Sequence, residues 1–158
     1  MTTIKTQCLG PVTLTKRGIS VPGWRKKKIS TDGGCRQVWR VLPQVAGWHW
    51  EESGYVFKLG PSCKEEARNW EEAKDTASAK WLVPVLEHGT QDGEHWLIMP
   101  FVDLETKAVS VLQPHAAGVS MIAYEMDVRD ICFSPYGGSV NWGVDKVTGK
   151  AVIYDYAQ

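Results

Sequence analysis

Two residues near the C-terminal end of the chain have the types and spacing of a metal site. In NWGVDKVTGKAVIYDYAQ, residues 141–158, Asn141 precedes a turn at Val147-Thr148-Gly149, and Asp155 follows the hydrophobic run that returns from it. A hairpin of this form is a familiar way to set two metal ligands, an amide oxygen and a carboxylate, side by side. Softer ligands do not cluster. Cys8, Cys35, Cys63 and Cys132 are scattered with no C-x-x-C, and His49, His88, His95 and His115 are equally dispersed, a pattern that argues against structural zinc. The cysteines read as free thiols of a reducing cytoplasm.

The chain that must position these residues has 158 of them, the size of one ordinary domain with room for a core. Hydrophobic residues make up 43% and charged residues 23%, and 18 Lys plus Arg balance 18 Asp plus Glu, so bulk charge gives no argument for nucleic acid. The run Arg25-Lys26-Lys27-Lys28 is brief and reads as a solvated loop, with a phosphate or partner contact as the alternative. MTTIKTQCLG has no apolar core of a secretory signal, and no segment approaches the roughly 20 apolar residues of a membrane helix. Eight tryptophans are many for this length and read mainly as core. Trp24 and Trp48, beside glycines, are the candidates for surface contacts.

Residues 1–34 carry turn signals but no strong period, and read as an extension with one or two short strands. RQVWRVL (36–42), WHWEE (48–52) and YVFKL (55–59) read as strands, the last two joined by Ser53-Gly54. Ser62 and Glu65 form a capping box for a helix from about Cys63 to about Ala79, buried through Ala67, Trp70, Ala73 and Ala77. Glu65 faces that cap, and Glu66 lies on the edge of the buried face. LVPVLEHG (82–89) and HWLIMPFVD (95–103) read as strands around Thr90-Gln91-Asp92-Gly93. Residues 105–126 have helical spacing interrupted by Pro114 and Gly118, which predicts a broken helix or two short ones. The order is that of an α+β domain on an antiparallel sheet with one packed helix.

This order, with these residues, resembles the protein-kinase-like fold over roughly residues 36–158. YVFKL resembles the third strand of the small lobe, which makes Lys58 the residue that holds nucleotide phosphates. The capped helix resembles the one whose glutamate pairs with that lysine, which points to Glu66. HWLIMPFVD resembles the strand that runs into the hinge, with Met99 at the gatekeeper position and Pro100-Phe101 at the adenine-facing backbone. Val128-Arg129-Asp130 is similar to the His-Arg-Asp triplet, making Asp130 the candidate base. Asn141 and Asp155 match the two magnesium ligands, and ATP with magnesium is the implied cofactor. Phosphoryl transfer asks mainly for positioning and charge neutralisation, which these residue types supply. Similar Asn–turn–Asp endings occur in small kinase-like proteins of bacteriophages and mobile elements.

The expected organisation is an extension at 1–35, a small lobe at 36–103 and a reduced large lobe at 104–158. The chain departs from the family in three ways. PQVAG (43–47), with Gly47 alone, stands where a glycine-rich phosphate loop is expected. The stretch between Asp130 and Asn141 is longer than in a kinase, with Tyr136 where usual spacing would put the base. The chain closes at Gln158, soon after Asp155-Tyr156-Ala157, which predicts a scaffold without a substrate platform. The function expected is a kinase-like protein of low or no catalytic activity that binds another protein, such as a host factor, through its tryptophans and N-terminal extension. The alternatives are a working small kinase using Lys58, Glu66, Asp130, Asn141 and Asp155, and an unrelated α+β binding domain. An exposed aromatic face would suit a homodimer equally well.

Overall fold

A computed structural model describes residues 2–32, 36–43 and 54–157. The expected strand at 48–52, the turn at Ser53 and most of PQVAG lie outside the described residues. The chain forms two compact units, one of Met1–Lys64 with Val85–Phe101, the other of Glu65–Pro84 with Val102–Gln158. The fold class is α+β with antiparallel sheets, as the sequence predicts.

The first unit holds two sheets. The N-terminal residues form more strand than expected: β1 (Thr3–Thr6), β2 (Gly10–Thr15) and β3 (Gly18–Ser20) make a three-stranded meander. These strands are too short to show a period, yet each sends an apolar side chain inward: Ile4, Val12 and Ile19 are fully buried. Next come β4 (Trp24–Asp32), β5 (Arg36–Pro43), β6 (Tyr55–Leu59), β7 (Glu87–Gln91) and β8 (Glu94–Pro100). They form one antiparallel sheet in the order β4-β5-β6-β8-β7. The sheet therefore begins at Trp24, ahead of residue 36, and β4 rather than β5 is its first strand.

One core joins the two sheets. Ile4, Leu9, Val12, Ile19 and Val21 pack with Trp39, Val41, Phe57, Trp96 and Ile98, and Trp24 and Tyr55 meet edge to face at its rim. The meander thus covers the side of the five-stranded sheet that carries Phe57. No described tryptophan is exposed. The basic run proves to lie on β4, an edge strand, where Arg25 to Lys28 are all exposed. Lysines on an edge oppose unwanted strand pairing. The turn between β7 and β8 is tighter than expected, with Asp92 and Gly93 both at positive φ, the conformation of a two-residue hairpin loop.

The helix α1 (Ser62–Ala73), which belongs to the second unit from Glu65 onward, stops short of Ala79. Thr76 ends it by donating its hydroxyl to the Ala73 carbonyl, then caps a short 3-10 helix at Ala77–Trp81 by accepting from the Ser78 N–H. Residues 82–83 do not join the large sheet. Leu82 bridges Ile153, and the Val83 N–H donates to the Ile153 carbonyl. After β9 (Leu104–Glu105) comes α2 (Val109–Glu125), one continuous helix despite Pro114. The bond that Pro114 cannot make falls near the helix start, where Ser110 is open to water. Gly118 is present because a Cβ there would lie 2.8 Å from the Trp81 ring.

The unit closes with β10 (Cys132–Ser134), β11 (Gly138–Val140), β12 (Trp142–Asp145) and β13 (Ala151–Ile153). The predicted turn joins β12 to β13: the Asp145 carboxylate accepts from the N–H groups of Val147 and Thr148, and Gly149 takes positive φ. No helix among the described residues is long and apolar enough to cross a membrane.

Candidate functional site

The candidate residues fall into two groups, one in each unit. In the first unit, Lys58 on β6 is 4% exposed and sits between Val38 and Leu97 on the neighbouring strands. Met99, 1% exposed, pairs with Val56, so the strand alternation puts it on the same sheet face as Lys58. This is the face opposite the meander. Arg40 shares it, paired with Val56, and its guanidinium lies 3.7 Å from the centre of the Phe101 ring. The Phe101 N–H donates to the Gly54 carbonyl at 3.0 Å. Pro100 has no N–H, so neither residue of the expected adenine-facing pair has a main-chain donor to spare.

In the second unit, Glu66 is 1% exposed on the inner face of α1, rather than at its edge. Its carboxylate accepts from the Tyr156 N–H at 3.0 Å. Glu65 differs from it: partly exposed, it lies 3.4 Å from Arg68 one turn on. One turn beyond Glu66, Asn69 donates its side-chain amide to the Tyr156 carbonyl at 2.6 Å. The Tyr156 hydroxyl donates to the Val83 carbonyl at 2.7 Å. Asp155-Tyr156-Ala157 is therefore gripped on both sides of its central peptide by α1. Burial, and then the charge of Glu66, push the Tyr156 phenol far above its ordinary value. Asp155 itself is 9% exposed.

Asp130 and Asn141, separated by residues 131–140, meet. The Asn141 side-chain amide donates to the Asp130 carbonyl at 3.0 Å. The intervening chain leaves as the β10–β11 hairpin, pinned where the Trp142 indole donates to the Cys132 carbonyl at 2.9 Å. Tyr136, at the position where usual spacing would put the base, is fully exposed at the turn of this hairpin. Asp130 and Asn141 have φ of +61° and +66°, a left-handed conformation that costs a non-glycine residue about 1 kcal/mol or more. Strain of this kind persists where surroundings impose it. Asn141 also accepts, through its carbonyl, from the Tyr154 N–H at 3.0 Å, which ties it to the strand leading into Asp155.

The donor chemistry of this second group fits magnesium. The Asn141 amide nitrogen is committed to the Asp130 carbonyl, so a metal contact by this residue would use its amide oxygen, and Asp155 would offer a carboxylate. Magnesium takes one or two such protein oxygens and completes its shell with water and phosphate. Sequence reasoning missed Asn69 and the positive role of Tyr156. The signal was present: Asn69 lies three residues after Glu66 on a face otherwise built of Ala67, Trp70 and Ala73, where a polar residue needs a partner.

No protein-family model matches the chain, and no curated protein matches it. The solved structures it resembles include protein kinase domains. Against the Mycobacterium tuberculosis PknI kinase domain the TM-score is 0.45 at 14% identity, covering 86% of this chain and 60% of that one. A second structure of that domain gives a TM-score of 0.44 at 16% identity, with the same coverage. Rad53 residues 1–466, solved in complex with AMP-PNP, gives 0.45 at 10% identity, covering 94% of this chain and 47% of that one. The chain thus spans about half to three fifths of the chains it resembles.

Proposed function

We propose that this is a kinase-like protein that acts chiefly by binding another protein, with little phosphoryl transfer of its own. The observation that carries the binding role is where the exposed apolar side chains lie. Among the described residues of the first unit only Ile29 and Leu86 are large, apolar and exposed. The second unit exposes Val111, Met121, Tyr124, Tyr136, Val140 and Val147. Met121 and Tyr124, at 61% and 87% exposure, lie one turn apart on α2, which has no charged residue before Glu125. Aromatic and thioether side chains on an uncharged face are the composition of an interface core. The resemblance to small proteins of bacteriophages and mobile elements makes a host protein the partner class to try first.

The kinase-like part of the reading draws on order. Lys58 lies on the third strand of the five-stranded sheet, Glu66 on the helix that follows, and Asp130, Asn141 and Asp155 come in turn after the last strand. Capture experiments with wild type and with Met121→Glu/Tyr124→Glu test the binding role, both positions being exposed so that the fold is kept. A protein held by wild type and released by the variant carries the reading. Identical capture by both overturns it.

A second reading, an ATP-dependent phosphotransferase, is favoured by the Asn141–Asp130 contact, which orients a magnesium donor. Bound magnesium would neutralise phosphate charge, with Lys58 as the lysine assigned to the phosphates. A thermal shift with ATP and magnesium should raise the midpoint by several degrees if nucleotide binds well below the concentration used. A shift lost in Asp155→Ala favours this reading, and no shift at millimolar nucleotide removes it.

A further inference from the structure

The outer edge of β4 combines open main-chain groups with charge of a single sign. The strand has nine residues and pairs on one side only, with β5. Among the described residues its one further main-chain bond runs from the Trp24 N–H to the Val21 carbonyl. The outward N–H and C=O groups of an edge strand are a template for another strand. The ladder is regular from Trp24 to Lys28 and shifts register before Ser30, so an added strand is matched over that stretch.

The four consecutive basic residues fall on this regular part. Arg25 and Lys27 lie on one face of the sheet, Lys26 and Lys28 on the other. Lys28 is engaged: its ammonium donates to the Gln37 side-chain oxygen at 3.1 Å and lies 5.5 Å from the centre of the Trp39 ring. Arg25, Lys26 and Lys27 have no acidic partner among the described residues. Lys27 stands directly opposite Arg40, where like charges oppose each other. Arg40 also lacks a carboxylate, and its buried Nε has no acceptor among the described residues. The chain as a whole carries no net charge, so this excess is local.

We propose that β4 binds an extended acidic segment of another protein, which adds to the five-stranded sheet as a sixth strand. Main-chain bonds to Trp24–Lys28 give the segment its hold, and carboxylates at alternate positions face Arg25 and Lys27, on the side where Arg40 adds its charge. The same cations turn away basic strands, so protection of the edge and choice of partner have one cause. A nucleic acid matches the charge but has no ladder of N–H and C=O groups, which makes a peptide the better fit. The surface lies in the first unit alone and depends neither on nucleotide nor on the exposed face of α2.

The test is fluorescence anisotropy of a labelled, blocked Thr-Glu-Val-Glu-Val-Glu-Thr peptide titrated with the full chain. The expected result is saturable binding, weakened at least tenfold in Arg25→Glu/Lys27→Glu, whose two positions are exposed so that the fold is kept. A peptide with lysine in place of each glutamate should show the reverse preference. Two N-methylated versions, one blocked at the glutamates and one at the valines and threonines, separate strand addition from charge alone. Only one set of N–H groups faces β4, so one version should lose at least tenfold and the other should bind as the parent does. Met121→Glu/Tyr124→Glu should bind the peptide as wild type does, which keeps this surface distinct from the one on α2. No saturation, full affinity in Arg25→Glu/Lys27→Glu, equal affinity of the two methylated peptides, or loss of binding in Met121→Glu/Tyr124→Glu overturns the proposal. A single-stranded oligothymidylate that binds more tightly than the peptide and displaces it makes the edge a nucleic-acid site and overturns it equally.

Discussion

The side-chain amide of Asn141 reaches the main-chain carbonyl of Asp130 at 3.0 Å, and both residues hold a left-handed backbone. The contact is local in space and distant in sequence, and it depends on two properties of asparagine. The amide supplies the bond, and asparagine tolerates positive φ better than most residues. The two can be separated by substitution. Asn141→Gly keeps the backbone and loses the amide, at about 1 kcal/mol for an exposed hydrogen bond. Asn141→Ala loses both and should cost about 1 kcal/mol more. Urea midpoints of the two variants check the order. Equal destabilisation would mean that the left-handed conformation is not enforced in solution.

Tyr156 gives the chain a defined response to alkali. Its phenol, raised by burial and then by Glu66, stays protonated in the folded state at pH values where the unfolded phenol, with an ordinary value of 10.0, ionises. This contribution is complete below about pH 10 and is lost as pH rises beyond it, at about 1.4 kcal/mol per pH unit for one proton. Tyr156→Phe should remove that part of the slope. At neutral pH the same variant should lose about 1–2 kcal/mol, because the Val83 carbonyl is left without its donor. Chemical unfolding at pH 8 and at pH 11, on both proteins, gives the comparison. Parallel losses with pH would show that Tyr156 ionises in place.

How much of this was legible in the sequence follows from the length over which each signal acts. The α+β class, β6, the capped helix and the last hairpin rest on contiguous patterns of several residues, and they could be read. The meander could not, because strands of three to six residues carry too few alternations to stand out. Taking Arg36 as the start of the first strand missed β4, which precedes it in the sheet. Pro114 and Gly118 were read as breaks because propensity ignores what packs on a helix. Ser110 at the solvent and Trp81 over the glycine decide otherwise. Asp130 and Asn141 could be nominated by type, but their meeting depends on how residues 131–140 fold out of the way, which no local pattern states.

Glu87 is the polar anchor of the meander. Its carboxylate accepts from the N–H groups of Gln7 and Cys8. Burial pushes this carboxyl up, but the N–H groups outweigh it and hold it below its usual range. The stabilisation is therefore present above the ordinary carboxylate value and is lost as pH falls through the lowered one. The same carboxylate, after burial, raises the Cys8 thiol to about 11. Glu87→Gln should flatten the acid limb of the stability profile and speed alkylation of Cys8 at pH 8. Mass-spectrometric labelling reads the second effect, and an unchanged rate for Cys8 would detach the thiol from Glu87.

Gly118→Ala sets helix propensity against packing. In the middle of α2, alanine should gain about 1 kcal/mol over glycine if nothing opposed it. The new Cβ would lie 2.8 Å from the Trp81 ring, closer than such atoms approach, and the ring would have to move from its place over the helix. Overpacking of this kind costs about 1–3 kcal/mol, so the balance should fall on the side of destabilisation. Trp81→Leu in the same background removes the clash and should let alanine recover its helical advantage over glycine. The four proteins of that cycle, compared by thermal unfolding, give a coupling between positions 118 and 81. Additive effects would mean that the ring does not hold this position in solution.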